Sequence, residues 1–177
     1  MALEEDPQHT DRAAQRRKQI LDAAYAVFAS KGYTAATIAD VAKSLNLGHG
    51  TIYRYFDNKL DLFMAVVGGI LGRLSAAIAS EDPHRAATLE EYRAQVERIG
   101  RTMLSLLESD PAVTKILFYE AMGISAELDE RIQEAWEMAG RLTQLYLQNG
   151  KQRGFLRADL DIELTALAIN ALTFEAG

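Results

Sequence analysis

The sequence predicts an all-α protein: an N-terminal three-helix head with a helix-turn-helix, joined by a long helix to a C-terminal helical body, about nine helices in all. Three observations carry this. Apolar residues recur at i, i+3 and i+4 along almost the whole chain, Ser, Thr, Asp and Asn stand ahead of those runs, and glycines stand behind them. No stretch alternates apolar and polar residues as a half-buried strand would, and no internal repeat or low-complexity tract occurs.

Residues 1–15 read as a flexible polar leader holding Glu4, Glu5, Asp6 and Asp11. Arg16 to Lys31 form the first helix, with Ile20, Ala24, Val27 and Phe28 on one face, Lys31 suited to the C-terminal dipole and Gly32 as the stop. A loop from Tyr33 to Ala36 follows. In the next run Ile38, Val41, Ala42 and Leu45 make one apolar stripe; Thr37 is its N-cap, and Asp40 completes a capping box with Asp in place of Glu. Asn46 tolerates the left-handed backbone that ends this helix, and Gly48 opens the next without a side-chain cap. There Leu47, Ile52 and Phe56 are spaced to bury against the preceding helix, leaving His49, Gly50, Thr51, Tyr53, Arg54 and Tyr55 outward.

Asp57 or Asn58 caps a long helix from Lys59 to about Ser80, apolar through Leu62, Phe63, Val66, Val67, Ile70, Leu71, Leu74 and Ile78. A loop containing Pro83 ends at the capping box Thr88/Glu91, whose helix turns Tyr92, Val96, Ile99, Met103, Leu106 and Leu107 inward. Pro111, at a first helical position, starts a helix running to about Met122 and stopped by Gly123. Ser125 caps a long helix to about Gln152, and Asp159 or Asp161 begins the last, with Ile162, Leu164, Leu167, Ala168, Ala171 and Leu172. That helix reaches Phe174, Glu175, Ala176 and Gly177 without a charged last turn, as a shortened chain would. Residues 16–58 are thus expected to form the head and 59–177 the body.

The 177 residues are 49% hydrophobic and 25% charged, a globular composition. Without cysteine there is no disulfide framework and no thiolate metal site. His9, His49 and His84 fall in leader, head and loop, so no two share a face at metal-ligand spacing, and no metal is expected. No phosphate-binding loop, dinucleotide fingerprint or hydrolase triad can be read, which argues against an enzyme and for no cofactor. Glu90/Glu91 and Asp159/Asp161 are better read as first turns of helices. No apolar run is long enough to suggest a membrane span, and the N-terminus lacks the apolar core of a secretion signal, so a cytoplasmic protein is expected.

The net charge of −6 is unevenly distributed. Residues 12–60 carry eight basic and three acidic side chains, a net +5, whereas 61–177 carry eleven and eighteen, a net −7. An electropositive first third on an acidic body is the footprint of a protein that touches nucleic acid through one end only. The segment TIADVAKSLNLGHGTIYRYF presents its second helix as a helix-turn-helix presents the element that enters the major groove. Small Gly48 and Gly50 let a backbone approach phosphate closely, and the Thr51 and Tyr53 hydroxyls are phosphate donors. The alternative is that these aromatic residues only pack.

The order basic helix, ILDAAYAVFASKGY, TIADVAKSLNLGHGTIYRYF and NK resembles the TetR family of bacterial transcriptional regulators over about residues 16–66, and beyond them only in architecture. The matching residues include Arg17, Ile20, Phe28, Gly32, Tyr33, Thr37, Val41, Gly50, Thr51, Tyr53, Tyr55, Phe56 and Lys59. The resemblance implies phosphate contacts from Thr37, Thr51, Tyr53 and Lys59, with His49, Gly50, Arg54 and Tyr55 near base edges or backbone; Arg17 and Gly48 complete the expected DNA-binding set. It also implies a body that dimerises through its last two helices, a palindromic operator and a small-molecule effector. The sequence departs at Asn46, Gly48, His49 and Leu60, where Gly, Ser or Thr, Lys and an acid are usual. Gly48 loses a hydroxyl, and with His49 in place of lysine operator affinity is expected to be more sensitive to pH than in a lysine-bearing relative.

Met103, Leu107, Phe118, Tyr119, Met122, Trp136 and Tyr146 form a candidate apolar effector lining, with Glu120 or Asn170 as polar anchors. Such a set suggests an apolar or amphipathic effector, although residues of this kind are more often plain core. Coupling to the head would run through the helix from Lys59. The leading expectation is a homodimeric repressor released from DNA by a small lipophilic effector. The alternatives are a ligand-independent DNA-binding regulator of the same fold, and a helical lipid carrier or enzyme whose N-terminal resemblance is incidental.

Overall fold

A computed structural model describes the backbone of residues 7–175 and the side chains of residues 11–171. Glu4, Glu5 and Asp6 of the expected leader and the chain end at Ala176 and Gly177 lie outside the described residues, as do the side chains of His9, Leu172, Phe174 and Glu175. Among the described residues there are eight α-helices, one π-helical segment and no strand. They divide into two compact units: residues up to Gly69 with Lys115–Ala121, and Ile70–Thr114 with the chain from Met122 onward.

In the first unit, α1 (Pro7–Ala35) starts at Pro7, a first-turn proline, rather than at Arg16. Gly32 interrupts it with φ 75°, a left-handed backbone, and one further turn reaches Ala35 where a loop was expected. α2 (Ile38–Ser44) and α3 (His49–Ile52) complete the helix-turn-helix, with Asn46 at φ 53° in the turn. The first half of α4 (Lys59–Ile78) joins them, capped by Asn58, whose Oδ1 accepts the Asp61 N–H at 2.9 Å. Ile20, Ala24, Phe28, Val41, Ala42, Ile52, Phe56, Leu62, Phe63 and Val67 are all at most 2% exposed, so the stripes of four helices meet in one core. The rings of Phe28 and Phe63 pack edge to face at 4.9 Å, with Tyr33 tilted on Phe63 at 4.6 Å.

α4 corrects one expectation. Within its 20 residues an 18-residue stretch has a mean hydropathy of 1.6, enough by length and composition to cross a membrane. It also carries Lys59, Asp61 and Arg73, and buries Leu62, Phe63, Val66 and Val67 against protein, as a core helix does.

The second unit holds the rest of α4, α5 (Leu89–Ser109), α6 (Pro111–Thr114), α7 (Ala126–Gln152) and α8 (Ile162–Glu175). The helix expected to run unbroken from Pro111 gives one α turn and then a π-helical segment, Lys115–Glu120, which belongs to the first unit. Thr88 accepts the Glu91 N–H at 3.2 Å, but the Glu91 carboxylate returns to the Ala87 N–H at 2.7 Å and not to Thr88. Val96, expected inside, is 46% exposed, and Gln95 is buried instead because its amide donates to the Asp82 carbonyl at 2.7 Å and anchors the loop. Ser125 caps α7 and Asp161 caps α8. Gly150, inside α7, has Leu156 folded so close that an added Cβ would lie 2.5 Å from its Cδ1, so a larger residue would have to push the Leu156 and Phe155 side chains aside. α7 and α8 pack on each other, with Ala166 buried between them.

Candidate nucleic-acid interface

α2 is held at its start by a reciprocal cap. The Asp40 N–H donates to the Thr37 hydroxyl oxygen at 3.2 Å, and the Thr37 N–H and hydroxyl donate to the Asp40 carboxylate at 3.0 and 2.8 Å. The Lys31 ammonium closes on the other carboxylate oxygen at 2.5 Å, tying the last turn of α1 to the first turn of α2. Lys31 first, and then Thr37, hold the Asp40 carboxyl down to about 2 from an ordinary 3.8. Thr37, expected at a phosphate, is thus also the residue that sets where α2 begins.

In α3 and the turn that follows it, where the expected helix ends already at Ile52, Ile52 and Phe56 are at most 2% exposed, while His49, Gly50 and Arg54 are exposed, Tyr53 is 53% exposed, and Thr51 and Tyr55 are half-buried. Burial is therefore accomplished by Ile52 and Phe56, and Tyr53 does not serve the core. Gly48 starts α3 with φ −71° and no side-chain cap. Around Gly48 and Gly50 an added Cβ would meet nothing within 4 Å, so nothing inside the head requires their small size.

The cations of the head sort by partner. Lys18 pairs with Asp22 and Lys31 with Asp40. Lys59, expected on a phosphate, places its ammonium on the carbonyls of Tyr33, Thr34 and Ala36 at 2.8, 3.3 and 3.1 Å and 4.4 Å from the Tyr33 ring centre. All three of its donors are engaged within the head. The Arg17 guanidinium lies 4.9 Å over the Phe56 ring. Arg12, Arg16, Lys43 and Arg54 are exposed and enter no ion pair among the described residues.

Two side chains absent from the expected head help to build it. The Lys115 ammonium donates to the Ala29 carbonyl at 2.8 Å, and the Glu120 carboxylate accepts the Tyr33 N–H at 3.0 Å. Glu120 was expected as an effector anchor. No local pattern pointed to either contact, because the partners are 86 and 87 residues apart in sequence.

The expected effector lining is divided: Phe118, Tyr119 and Glu120 fall in the first unit, and Met103, Leu107, Met122, Trp136, Tyr146 and Asn170 in the second. Tyr119 and Met122 are 74% and 59% exposed. Tyr146 is buried, its hydroxyl on the carbonyls of Ile78 and Glu81 at 3.1 and 2.8 Å. Asn170 accepts from the Thr143 hydroxyl at 3.2 Å.

Residues 20–66 match the model of bacterial regulatory proteins of the tetR family. The fatty acid metabolism regulator protein of Bacillus subtilis is 31% identical over 146 residues, covering 82% of this chain and 73% of that protein. The chain belongs to the TetR family. It is a DNA-binding, ligand-responsive transcriptional regulator. This TetR-family chain is also 26% identical to the repressor KstR2 of Rhodococcus jostii, over 84% of this chain and 72% of that one. Among solved structures, the fatty acid degradation regulator FadR from Bacillus halodurans superposes with a TM-score of 0.77 at 26% identity, covering 97% of this chain and 83% of the other. FadR from Bacillus subtilis, solved in complex with stearoyl-CoA, gives 0.75 at 26% identity, over 89% and 83%.

Proposed function

We propose that this regulator is a cytoplasmic homodimeric repressor that holds a palindromic operator and is released by a lipophilic effector, an acyl thioester of coenzyme A being the first compound to test. The observation that carries the dimer is α8. Ala166 is 1% exposed against α7, yet Leu164, Leu167 and Ile169 are 62%, 67% and 42% exposed, and Met138 and Leu145 of α7 are 49% and 37% exposed. An exposed apolar helix face of this kind marks a surface that a partner covers. A second copy of the same two helices does so with two-fold symmetry, and two heads about 34 Å apart then read one palindrome.

In this reading His49, Gly50, Arg54 and Tyr55 lie in the major groove, while Arg17, Thr37, Gly48, Thr51 and Tyr53 meet the backbone. The exposure of Arg17, Thr37, Gly48, His49, Gly50, Tyr53 and Arg54 and the open space around both glycines support it. The effector class is supported by the relative from Bacillus subtilis that was solved with stearoyl-CoA. The chain passes from one unit to the other within α4 and at both ends of the π-helical segment, and an effector that favours a head position unsuited to DNA would act through those connections.

Selection of bound sites from random duplex DNA tests the recognition, with an inverted repeat expected. Titration of the selected complex with stearoyl-CoA tests the release, with loss of binding expected. A single unrepeated site argues against the dimer, and retention at saturating stearoyl-CoA argues against that effector class.

A further inference from the structure

α1 overhangs the head. The i, i+4 ridge that packs into the core as Phe28, Ala24 and Ile20, each at most 1% exposed, continues towards the N-terminus as Arg16 and Arg12, both exposed. The family model matches from residue 20, whereas α1 begins at Pro7, so Arg12 and Arg16 lie ahead of the matched region. Where the ridge leaves the protein core it changes from apolar to cationic. The base of the overhang is anchored: the Arg17 guanidinium sits 4.9 Å over the ring of Phe56, next to the Tyr53–Tyr55 surface.

The partners within the overhang do not explain its charge. Lys18 pairs with Asp22 on the same helix, and Asp11 is the one acid among the side chains from 11 to 19, against Arg12, Arg16, Arg17 and Lys18. Arg12 and Arg16 enter no ion pair among the described residues. Two arginines one helical turn apart, on a helix that leaves the core beside the proposed DNA-facing surface, fit a polyanion of regular charge spacing. From Arg17 to Arg12 the helix advances about 7.5 Å at about 1.5 Å per residue. Duplex DNA offers one phosphate per about 3.4 Å along each strand, so that advance passes about two phosphates.

We propose that Arg12 and Arg16 clamp backbone phosphates flanking the bases read by α3, lengthening the footprint of each head without adding base specificity. The proposal rests on the DNA-binding role of the head and assigns it a second surface. Each phosphate neutralised adds about 0.9 to the slope of log affinity against log salt concentration.

The test is the double variant R12Q/R16Q on the duplex obtained by selection. The slope is expected to fall by about 1.8 per head, the hydroxyl-radical footprint to shorten at its outer edges, and the selected base sequence to remain that of the unmodified protein. R12K/R16K, which keeps the charges, is expected to retain slope and footprint. An unchanged slope or footprint in R12Q/R16Q overturns the proposal, as does equal loss in R12K/R16K. An altered selected sequence also overturns it, because the arginines would then be reading bases. Failure of the head's DNA-binding role is a separate outcome, since the unmodified protein would then show no salt-dependent retention on any duplex.

Discussion

Glu120 and Gly32 share one small space: an added Cβ on Gly32 would lie 2.8 Å from Glu120 Oε1, while the same carboxylate accepts the neighbouring Tyr33 N–H at 3.0 Å. Gly32 also has φ 75°, so alanine there is strained apart from the crowding. Gly32→Ala must move the carboxylate off the amide, losing a charge-assisted hydrogen bond as well. We expect Gly32→Ala and Glu120→Ala each to destabilise the head by about 1–3 kcal/mol. The double variant should be milder than their sum by about the worth of that bond, as read in a double-mutant cycle of urea unfolding. Strict additivity would separate the two effects.

Lys59→Met leaves three carbonyls at the end of α1 without their cation. The expected result is a loss of about 1–3 kcal/mol in thermal or urea unfolding. The salt slope of DNA binding should stay close to that of the unmodified protein. A Lys59 bound to phosphate would give the reverse pattern, a changed slope with stability preserved.

Gly50→Ala separates folding from recognition. With open space around its Cβ and no positive φ, alanine should raise or maintain stability, by up to about 1 kcal/mol for an α-helical position. Affinity for the selected operator should nevertheless fall about tenfold or more in a gel-shift titration, because the added methyl meets the approaching duplex. Unchanged affinity would place Gly50 away from the DNA.

The Asp40 carboxyl, held at about 2 by Lys31 and Thr37, makes the head acid-sensitive over a defined range. Because the folded value lies below the ordinary 3.8, ionised Asp40 stabilises fully above about pH 4, and the contribution disappears as pH falls to about 2. The stability difference between the unmodified protein and Asp40→Asn should therefore be constant from pH 7 to about 5 and shrink towards zero near pH 2. A difference that grows on acidification would reverse this assignment.

Leu167→Glu puts a charge at the most exposed large apolar side chain of α8 among the described residues, where Leu167 is 67% exposed in the single chain. Light scattering should report a monomer. Operator affinity should fall on the order of 100-fold through loss of the second head, while the head's own unfolding is preserved. A dimer of undiminished strength would move the interface elsewhere.

What the sequence by itself determined is local. The Thr37/Asp40 cap, left-handed Asn46, the Ser125 cap and the burial of Ile52 and Phe56 all follow from relationships within about four residues, where helical geometry leaves few alternatives. The outward placement of His49, Gly50, Tyr53 and Arg54 was legible for the same reason: two apolar anchors four residues apart, Ile52 and Phe56, orient their neighbours. The tertiary structure alone decided what depends on partners distant in sequence. Glu120 accepts an amide of the head, Lys59 and Lys115 bind carbonyls of α1, and Gln95 rather than Val96 is buried, holding the Asp82 loop. A buried carbonyl or amide must find a hydrogen-bonding partner wherever the fold brings one near, and no periodicity along the chain records which side chain that will be.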